Sequence, residues 1–233
     1  MLQRKRYEEL SNIPVFSCDM CGECCRMSSI SLLPHEEVIV KKLAEVFDVE
    51  VKVTPGYMVY EALSGVNLAF SYVLHLNENK ACPFLKNNLC LIHNIYKPYI
   101  CRSFPYIPRH VKYNIDEVNK YIIATTDYGI SLACHIVRRD REVLSKYSNN
   151  PVVLYHYLKN EYHAAREAEN IRSLLLLALS KLWREGLVEL QTAKQNAPVV
   201  NLYEFLRHVY PDLPNILKLD RILRGLEKWV KTY

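Results

Sequence analysis

The chain has little glycine and no long hydrophobic run. Its six glycines are scattered, so neither a Walker A loop nor a G-x-G-x-x-G turn, which bring backbone amides against phosphates, can be assembled. The longest aliphatic run, Leu174 to Leu179, is far shorter than the ~20 residues that cross a bilayer. These absences exclude a glycine-loop nucleotide or methyl-donor site, and we expect no membrane partner.

The sequence also shows no dense run of positive charge and no apolar secretory segment. A net charge of +5 on 233 residues is mildly basic, whereas a dedicated nucleic-acid binder carries a dense basic surface. The composition therefore does not favour a nucleic-acid partner. The charged N-terminal residues are followed by no apolar secretory segment, so we expect a cytoplasmic protein. In that reducing compartment clustered cysteines are metal ligands more often than disulfides.

What the chain does have is eight cysteines. Four of them form one C-x2-C-x2-C-C segment, three more follow between residues 82 and 101, and the last is Cys134. Two intervening residues let the backbone turn so that both sulfurs point at one metal. We predict that seven thiolates are metal ligands, namely Cys18, Cys21, Cys24, Cys25, Cys82, Cys90 and Cys101.

The spacing gives two indications of which metal is bound. The first three cysteines form C-x2-C-x2-C, typical of a 4Fe–4S cluster, and Cys82 followed by Pro83 suits the remote fourth ligand. In contrast, Cys21-Gly22 ends a C-x2-C-G knuckle that is common at tetrahedral zinc sites. The adjacent Cys24 and Cys25 serve one site only if the backbone bends sharply. Seven or eight thiols exceed what one zinc needs, which favours iron, but two four-cysteine zinc sites also account for eight. The predicted cofactor is an iron–sulfur cluster or zinc.

Two histidines lie next to these cysteines. His93 is in the loop between Cys90 and Cys101. It is a candidate metal ligand, or a candidate hydrogen-bond donor to a ligand. Cys134 and His135 form a further candidate ligand pair, although a single buried cysteine also behaves as a small core residue.

The second cysteine segment carries a family resemblance. It reads Cys82-Pro-Phe-Leu and then Cys90 to Cys101, followed by Arg-Ser-Phe-Pro105. With the quartet it resembles the CxxCxxCC family of zinc- or iron-chelating domains over roughly residues 15–110. The chain departs from the family pattern at His93, where tyrosine is usual, and at Lys97, where arginine is usual. Lysine keeps the charge but loses the planar fork of arginine.

The resemblance implies metal chelation and no particular reaction. Some relatives are described as lysine methylases that act on flagellin, and others as iron–sulfur oxidoreductases. Neither activity is carried over, because this chain has no glycine-rich methyl-donor loop and no C-x3-C-x2-C triplet.

The hydrophobic pattern predicts an α+β fold in two regions. Residues 1–137 form a cysteine-rich metal-binding region with short strands and a helix that begins at Pro34, since proline suits the first helical position. Residues 138–233 form an all-helical region packed on it. There the pattern predicts helix from about residue 150 to 185 with a break near Asn170, a helix over Leu202–Tyr210, and a last helix from Pro214 that carries Leu223 and Val230.

These observations predict a metal-binding protein, either a redox protein or a cluster-dependent enzyme, with an unidentified redox partner. The alternative is a structural zinc module that presents its helical surface to a protein partner. Metal storage or delivery through a labile site is a third reading. A zinc module has no redox chemistry and unfolds when the metal is chelated.

Overall fold

Short antiparallel strands begin the fold. The structure, a computed structural model, describes residues 13–146, 150–219, 222, 225 and 226. Strand β1 (Ile30–Leu32) pairs with β5 (Tyr72–Leu74), which also pairs with β2 (Val53–Pro55), so the first sheet has the order β1-β5-β2. This sheet follows directly on the cysteine quartet and holds the quartet's C-terminal end in place.

A second sheet joins the two halves of the chain. It has the order β10-β3-β4-β11 and contains β3 (Met58–Glu61), β4 (Val66–Ala69), β10 (Leu190–Thr192) and β11 (Val199–Asn201). All its pairs are antiparallel except β11 with β4, which is parallel. The prediction of an all-helical C-terminal region is therefore wrong, and the fold is mixed α+β with strands in both halves of the described chain.

The physical reason is that two buried polar side chains of the second sheet bind the backbone of residues 189–194. A carboxylate oxygen of Glu61 accepts a hydrogen bond from the amide of Glu189 at 2.9 Å. The side chain of Asn67 accepts from the amide of Lys194 at 3.0 Å and donates to the carbonyl of the same residue at 2.5 Å. These long-range bonds leave little trace in local periodicity.

Two hairpins present further residues to the site. The short one joins β6 (Leu85–Lys86) to β7 (Leu89–Cys90) through Asn87 and Asn88, whose φ angles are 51° and 64°. Two central residues with positive φ are the requirement of a type I′ turn, and asparagine tolerates that conformation. The long hairpin joins β8 (Tyr106–Asp116) to β9 (Tyr121–Ile130).

The helices occur throughout the described chain. They are α1 (Pro34–Phe47), α2 (Tyr99–Ser103), α3 (His135–Arg139), α4 (Arg141–Lys146), α5 (Pro151–Tyr157), α6 (Lys159–Arg184), α7 (Leu202–Val209) and α8 (Leu213–Ile216). No helix among the described residues is long and apolar enough to cross a membrane.

Most predicted helix bounds are close to the observed ones. Helix α1 begins at Pro34 as expected. The predicted break near Asn170 is wrong, because α6 runs through that residue without interruption and the chain breaks earlier, at Leu158 between α5 and α6. Of the predicted last helix, Leu223 and Val230 lie outside the described residues.

The hydrophobic core draws on both halves of the sequence. The main cluster combines Phe70 and Phe84 with Leu179, Trp183 and Tyr203, all of which are at most 2% exposed. A smaller cluster contains Phe16, Cys134, Ile136, Val137, Leu144, Tyr157 and Leu158. The smaller cluster packs the segment before the cysteine quartet against α3 and α5. The division of the chain at residues 137 and 138 stays a prediction.

Candidate metal centre

The cysteines converge on one cavity. Its volume is about 480 Å³, far more than the ~10–15 Å³ that accommodates one water molecule. The cavity is lined by all seven predicted ligands together with Cys134 and His93. Thiols that are more than 100 positions apart in the sequence are thus brought to a common wall. Their assignment as metal ligands stays a prediction.

A tight turn places the quartet. Gly22 has φ 76° and is followed by one turn of 3-10 helix, Glu23–Arg26. The carbonyl of Gly22 accepts a hydrogen bond from the amide of Cys25 at 3.1 Å. This left-handed conformation favours glycine, and it provides the sharp bend that adjacent cysteines need in order to converge. The Sγ atoms of Cys24 and Cys25 are 3.9 Å apart.

Three other segments bring in the buried thiol of Cys82 and the half-buried thiols of Cys90 and Cys101. The amide of Cys82 donates to the carbonyl of Cys25 at 2.6 Å, which joins the two cysteine segments directly. Cys90 ends the β6–β7 hairpin, and Cys101 lies in α2 after Pro98. We call Cys24, Cys25, Cys82, Cys90 and Cys101 the inner thiol group.

The surroundings of Cys24, Cys82, Cys90 and Cys101 oppose thiolate formation by the protein alone. Burial raises the pKa of Cys82 to about 11. The hydrogen bond with Cys25 and then burial raise the pKa of Cys24, and burial and the charges of Cys82 and Cys24 raise the pKa of Cys101 well above its usual value. A bound cation would reverse this preference, because metals bind thiolates and displace the protons. Buried and half-buried sulfur donors around one cavity are a donor set that fits zinc or iron.

One cationic side chain acts on these sulfurs. Burial raises the pKa of Cys90, and a backbone hydrogen bond from Ile92 and the positive charge of Lys97 offset a part of that rise. The charge of Lys97 also acts to lower the raised pKa values of Cys24 and Cys101. Arg102 instead forms an ion pair with Glu167 on α6 at 2.9 Å. Lys97 is therefore the charge that faces the inner thiol group, while Arg102 fastens α2 to α6.

The exposed end of the cavity has a different composition. The Sγ of Cys21 is 3.6 Å from Nδ1 of His135, and Oδ2 of Asp19 is 2.7 Å from Nε2 of the same ring. Ligand atoms of these three residues all lie within 4.8 Å of one another. We call Asp19, Cys21 and His135, together with the thiols of Cys18 and Cys134 that line the same cavity, the outer cluster.

Asp19 was not predicted from the sequence, and His135 was predicted only as one member of a candidate ligand pair. The carboxylate between Cys18 and Cys21 was a usable signal, because a metal-bound histidine commonly donates its second N–H to a carboxylate. The pairing of Asp19 with a residue 116 positions away depends on how the smaller core cluster packs, which local patterns do not encode.

Comparison with known proteins gives one match. The model of the family CxxCxxCC, described as "Putative zinc- or iron-chelating domain", matches residues 17–167. The matched range extends well beyond residue 110, where the resemblance read from the sequence ended, and it includes Cys134 and His135. No curated protein and no solved structure matches the chain.

Proposed function

Since the chain belongs to the CxxCxxCC family of zinc- or iron-chelating domains, we propose that it is a redox protein whose inner thiol group holds an iron–sulfur cluster. Metal binding itself follows from the family. The cluster and the electron-transfer role are the proposal, as are a cytoplasmic location and a redox partner protein that donates or accepts the electron.

The observation that carries the proposal is a cavity of about 480 Å³ whose lining includes all five cysteines of the inner thiol group. A cluster needs four cysteine ligands, and the inner thiol group offers five. Phe84 is fully buried and Ile92 is 3% exposed, and both line the same cavity. Apolar walls of this kind limit the access of water and so influence the reduction potential of a bound metal centre.

The residues of the chain would contribute as follows. Cys24, Cys82, Cys90 and Cys101 would hold the iron, and Cys25 would be the additional thiol beside them. Lys97 would offset the negative charge that accumulates on reduction. When bound, an iron–sulfur cluster supplies a one-electron couple whose potential depends on net charge, hydrogen bonds to sulfur and exposure.

The test is metal and sulfide analysis of protein purified without oxygen, with an absorption spectrum. We expect iron and acid-labile sulfide in matched amounts and broad visible absorbance that bleaches on reduction. Cys101→Ser should lose most of the iron. The matched control is Ser29→Ala, an exposed residue that lines the same cavity and should leave iron unchanged. Iron-free wild-type protein after anaerobic reconstitution would contradict the cluster.

A second candidate function, a structural zinc module, is favoured by one distance. Two thiolates ~2.3 Å from a tetrahedral zinc ion lie about 3.8 Å apart, and the Sγ atoms of Cys24 and Cys25 are separated by 3.9 Å. This function predicts colourless protein with zinc in the inner thiol group. In that case Cys24→Ser and Cys25→Ser would both lose zinc, whereas a cluster with four of the five thiols would tolerate the loss of the unused one.

A further inference from the structure

The outer cluster has the geometry of a metal site of its own. A tetrahedral zinc ion with a sulfur at ~2.3 Å and a nitrogen at ~2.0–2.1 Å separates those two ligand atoms by about 3.6 Å. The observed separation between Sγ of Cys21 and Nδ1 of His135 is 3.6 Å. A thiol–imidazole hydrogen bond spans a similar distance, so the assignment needs a second observation.

Asp19 supplies that observation. Its Oδ2 is 2.7 Å from Nε2 of His135, and because a carboxylate only accepts, this contact uses Nε2 as the hydrogen-bond donor. Nδ1 is the other ring nitrogen, and it lies beside both the thiol of Cys21 and the carboxylate of Glu23. This arrangement, with one ring nitrogen on a carboxylate and the other beside a thiol, is the orientation in which proteins hold a metal-binding histidine.

Two further thiols complete the donor set. Cys134 directly precedes His135 at the start of α3 and is buried in the smaller core cluster. Cys18 and Cys134 both line the cavity that Asp19 and Cys21 also line. Three sulfurs and one nitrogen form a common ligand set for tetrahedral zinc.

We propose that the outer cluster is a second metal centre, separate from the inner thiol group, in which Cys18, Cys21, Cys134 and Nδ1 of His135 bind one zinc ion and Asp19 orients the imidazole. The ion would join the cysteine quartet to α3 across more than 100 residues of sequence. This site is not a part of the proposed redox function. Its zinc would be bound equally with a cluster or with zinc in the inner thiol group.

One neighbouring carboxylate must move for the ion to bind. Oε2 of Glu23 is 3.2 Å from Nδ1 of His135 and 3.5 Å from the guanidinium of Arg138. Glu23 is largely exposed, and it would turn from the imidazole to Arg138, which satisfies its charge. Glu23→Gln should therefore bind zinc at least as well as the wild type.

The test measures zinc and iron per chain in wild-type protein, His135→Ala and His93→Ala, after dialysis against excess zinc and removal of loose metal. We expect His135→Ala to lose one zinc per chain and to keep the metal of the inner thiol group. The matched control His93→Ala removes a histidine that lines the same cavity but is outside the cluster, and it should keep that zinc. His135→Cys should restore it, and the zinc X-ray absorption edge of the wild type should indicate three sulfurs and one nitrogen.

The outcomes separate this proposal from the redox function. Zinc that is retained by His135→Ala, or zinc that is lost by His93→Ala instead, would overturn the second centre. Absence of iron and sulfide with a zinc that still depends on His135 would overturn the cluster and leave the second centre standing. If His135→Ala is unfolded, the single variants Asp19→Asn and His135→Cys test the second centre in its place. Asp19→Asn should weaken zinc binding there, and His135→Cys should retain it.

Discussion

His35 is an ionisable side chain in a site suited to an apolar one. It is fully buried near the start of α1, against the rings of Tyr99 and Tyr203. Neither ring nitrogen has a hydrogen-bond partner among the described residues. Burial lowers the pKa of His35 to about 3, so the folded protein keeps this ring neutral.

The first prediction concerns the pH dependence of stability. Because the folded pKa of His35 lies below its ordinary value of about 6.5, its contribution to stability is complete above pH 6.5 and is lost as pH falls toward 3. In His35→Leu that loss should disappear. The free energy of unfolding of the wild type relative to the variant should decrease by about 2 kcal/mol between pH 7 and pH 5, because each pH unit in the window is worth about 1.4 kcal/mol. Urea denaturation at both pH values measures it.

A neighbouring group makes the control important. Burial raises the pKa of Glu36 to about 7, so its contribution to stability falls as pH rises from about 4.5 toward 7, opposite in sign to that of His35. Glu36 is present in both the wild type and His35→Leu, so the difference between their free energies of unfolding isolates the contribution of His35. His208→Leu, on the exposed side of α7, should leave the pH profile unchanged. An identical profile in His35→Leu would show that the ring is solvated.

The second prediction concerns the charge that faces the inner thiol group. Lys97→Gln removes the cation that acts on Cys24, Cys90 and Cys101. Reduction adds negative charge to a bound cluster, so the loss of Lys97 should shift the reduction potential downward, on the order of tens of millivolts. Lys97→Arg keeps the charge and should shift it much less. Equal potentials in all three proteins, measured by redox titration, would remove Lys97 from the proposed mechanism.

At the scale of elements, the second sheet depends on side chains that bind backbone across long sequence distances. Asn67 is 1% exposed on β4, and its amide group makes hydrogen bonds to both the N–H and the carbonyl of Lys194. Strands β10 and β11 are only three residues each. Such short strands have few ladder hydrogen bonds, so the side chain of Asn67 contributes strongly to their attachment.

The third prediction follows from that attachment. Asn67→Ala removes two hydrogen bonds to the backbone of Lys194, and at about 0.5–1.5 kcal/mol each this should cost about 1–3 kcal/mol in the free energy of unfolding. Hydrogen exchange of the amides in β10 and β11 should accelerate as well. The control is Asn119→Ala in the exposed turn between β8 and β9, where surface substitutions usually change stability by less than about 0.5 kcal/mol. Equal effects of the two substitutions would contradict the role given to Asn67.

Elements with a strong local signal were predictable from the sequence, and those fixed by distant contacts were not. Pro34 and the apolar spacing behind it identified α1, and Gly186, with φ 73°, identified the end of α6. Strands β10 and β11 were missed because their partners are more than 100 residues away. Asparagine is a weaker helix former than leucine, so local propensity placed the break at Asn170 and not at Leu158. The chain turns at Leu158 because that residue packs into the smaller core cluster.

The candidate site, too, was predictable from the sequence only in part. Cysteine spacing alone identified seven of the eight thiols that line the cavity. It did not predict that Cys24 belongs with Cys82, Cys90 and Cys101 while Cys21 lies beside His135. That grouping depends on the left-handed turn at Gly22, which lies between Cys21 and Cys24 in the chain, and on the position of α3, which carries His135.

At the scale of the whole molecule, the metal centre and the core are continuous. Cys82 and Phe84 are members of the main hydrophobic cluster, as are Leu179 and Trp183 of α6 and Leu190 of β10. We propose that the regions 1–137 and 138–233 are packed as one cooperative unit, with the cavity at the surface of the shared core. Loss of the inner metal should then be transmitted to the C-terminal half.

The last prediction tests this continuity by metal removal. A chelator should lower the melting temperature of the whole chain, since ligand thiols left without metal no longer hold the cysteine segments on the core. A loss of only ~4 kcal/mol would lower the melting temperature by about 8–16 °C in a chain of this length. Far-UV circular dichroism and tryptophan fluorescence should report one coincident transition in both metal-loaded and metal-free protein. A second transition at an unchanged temperature would mean that the C-terminal half folds independently of the metal centre.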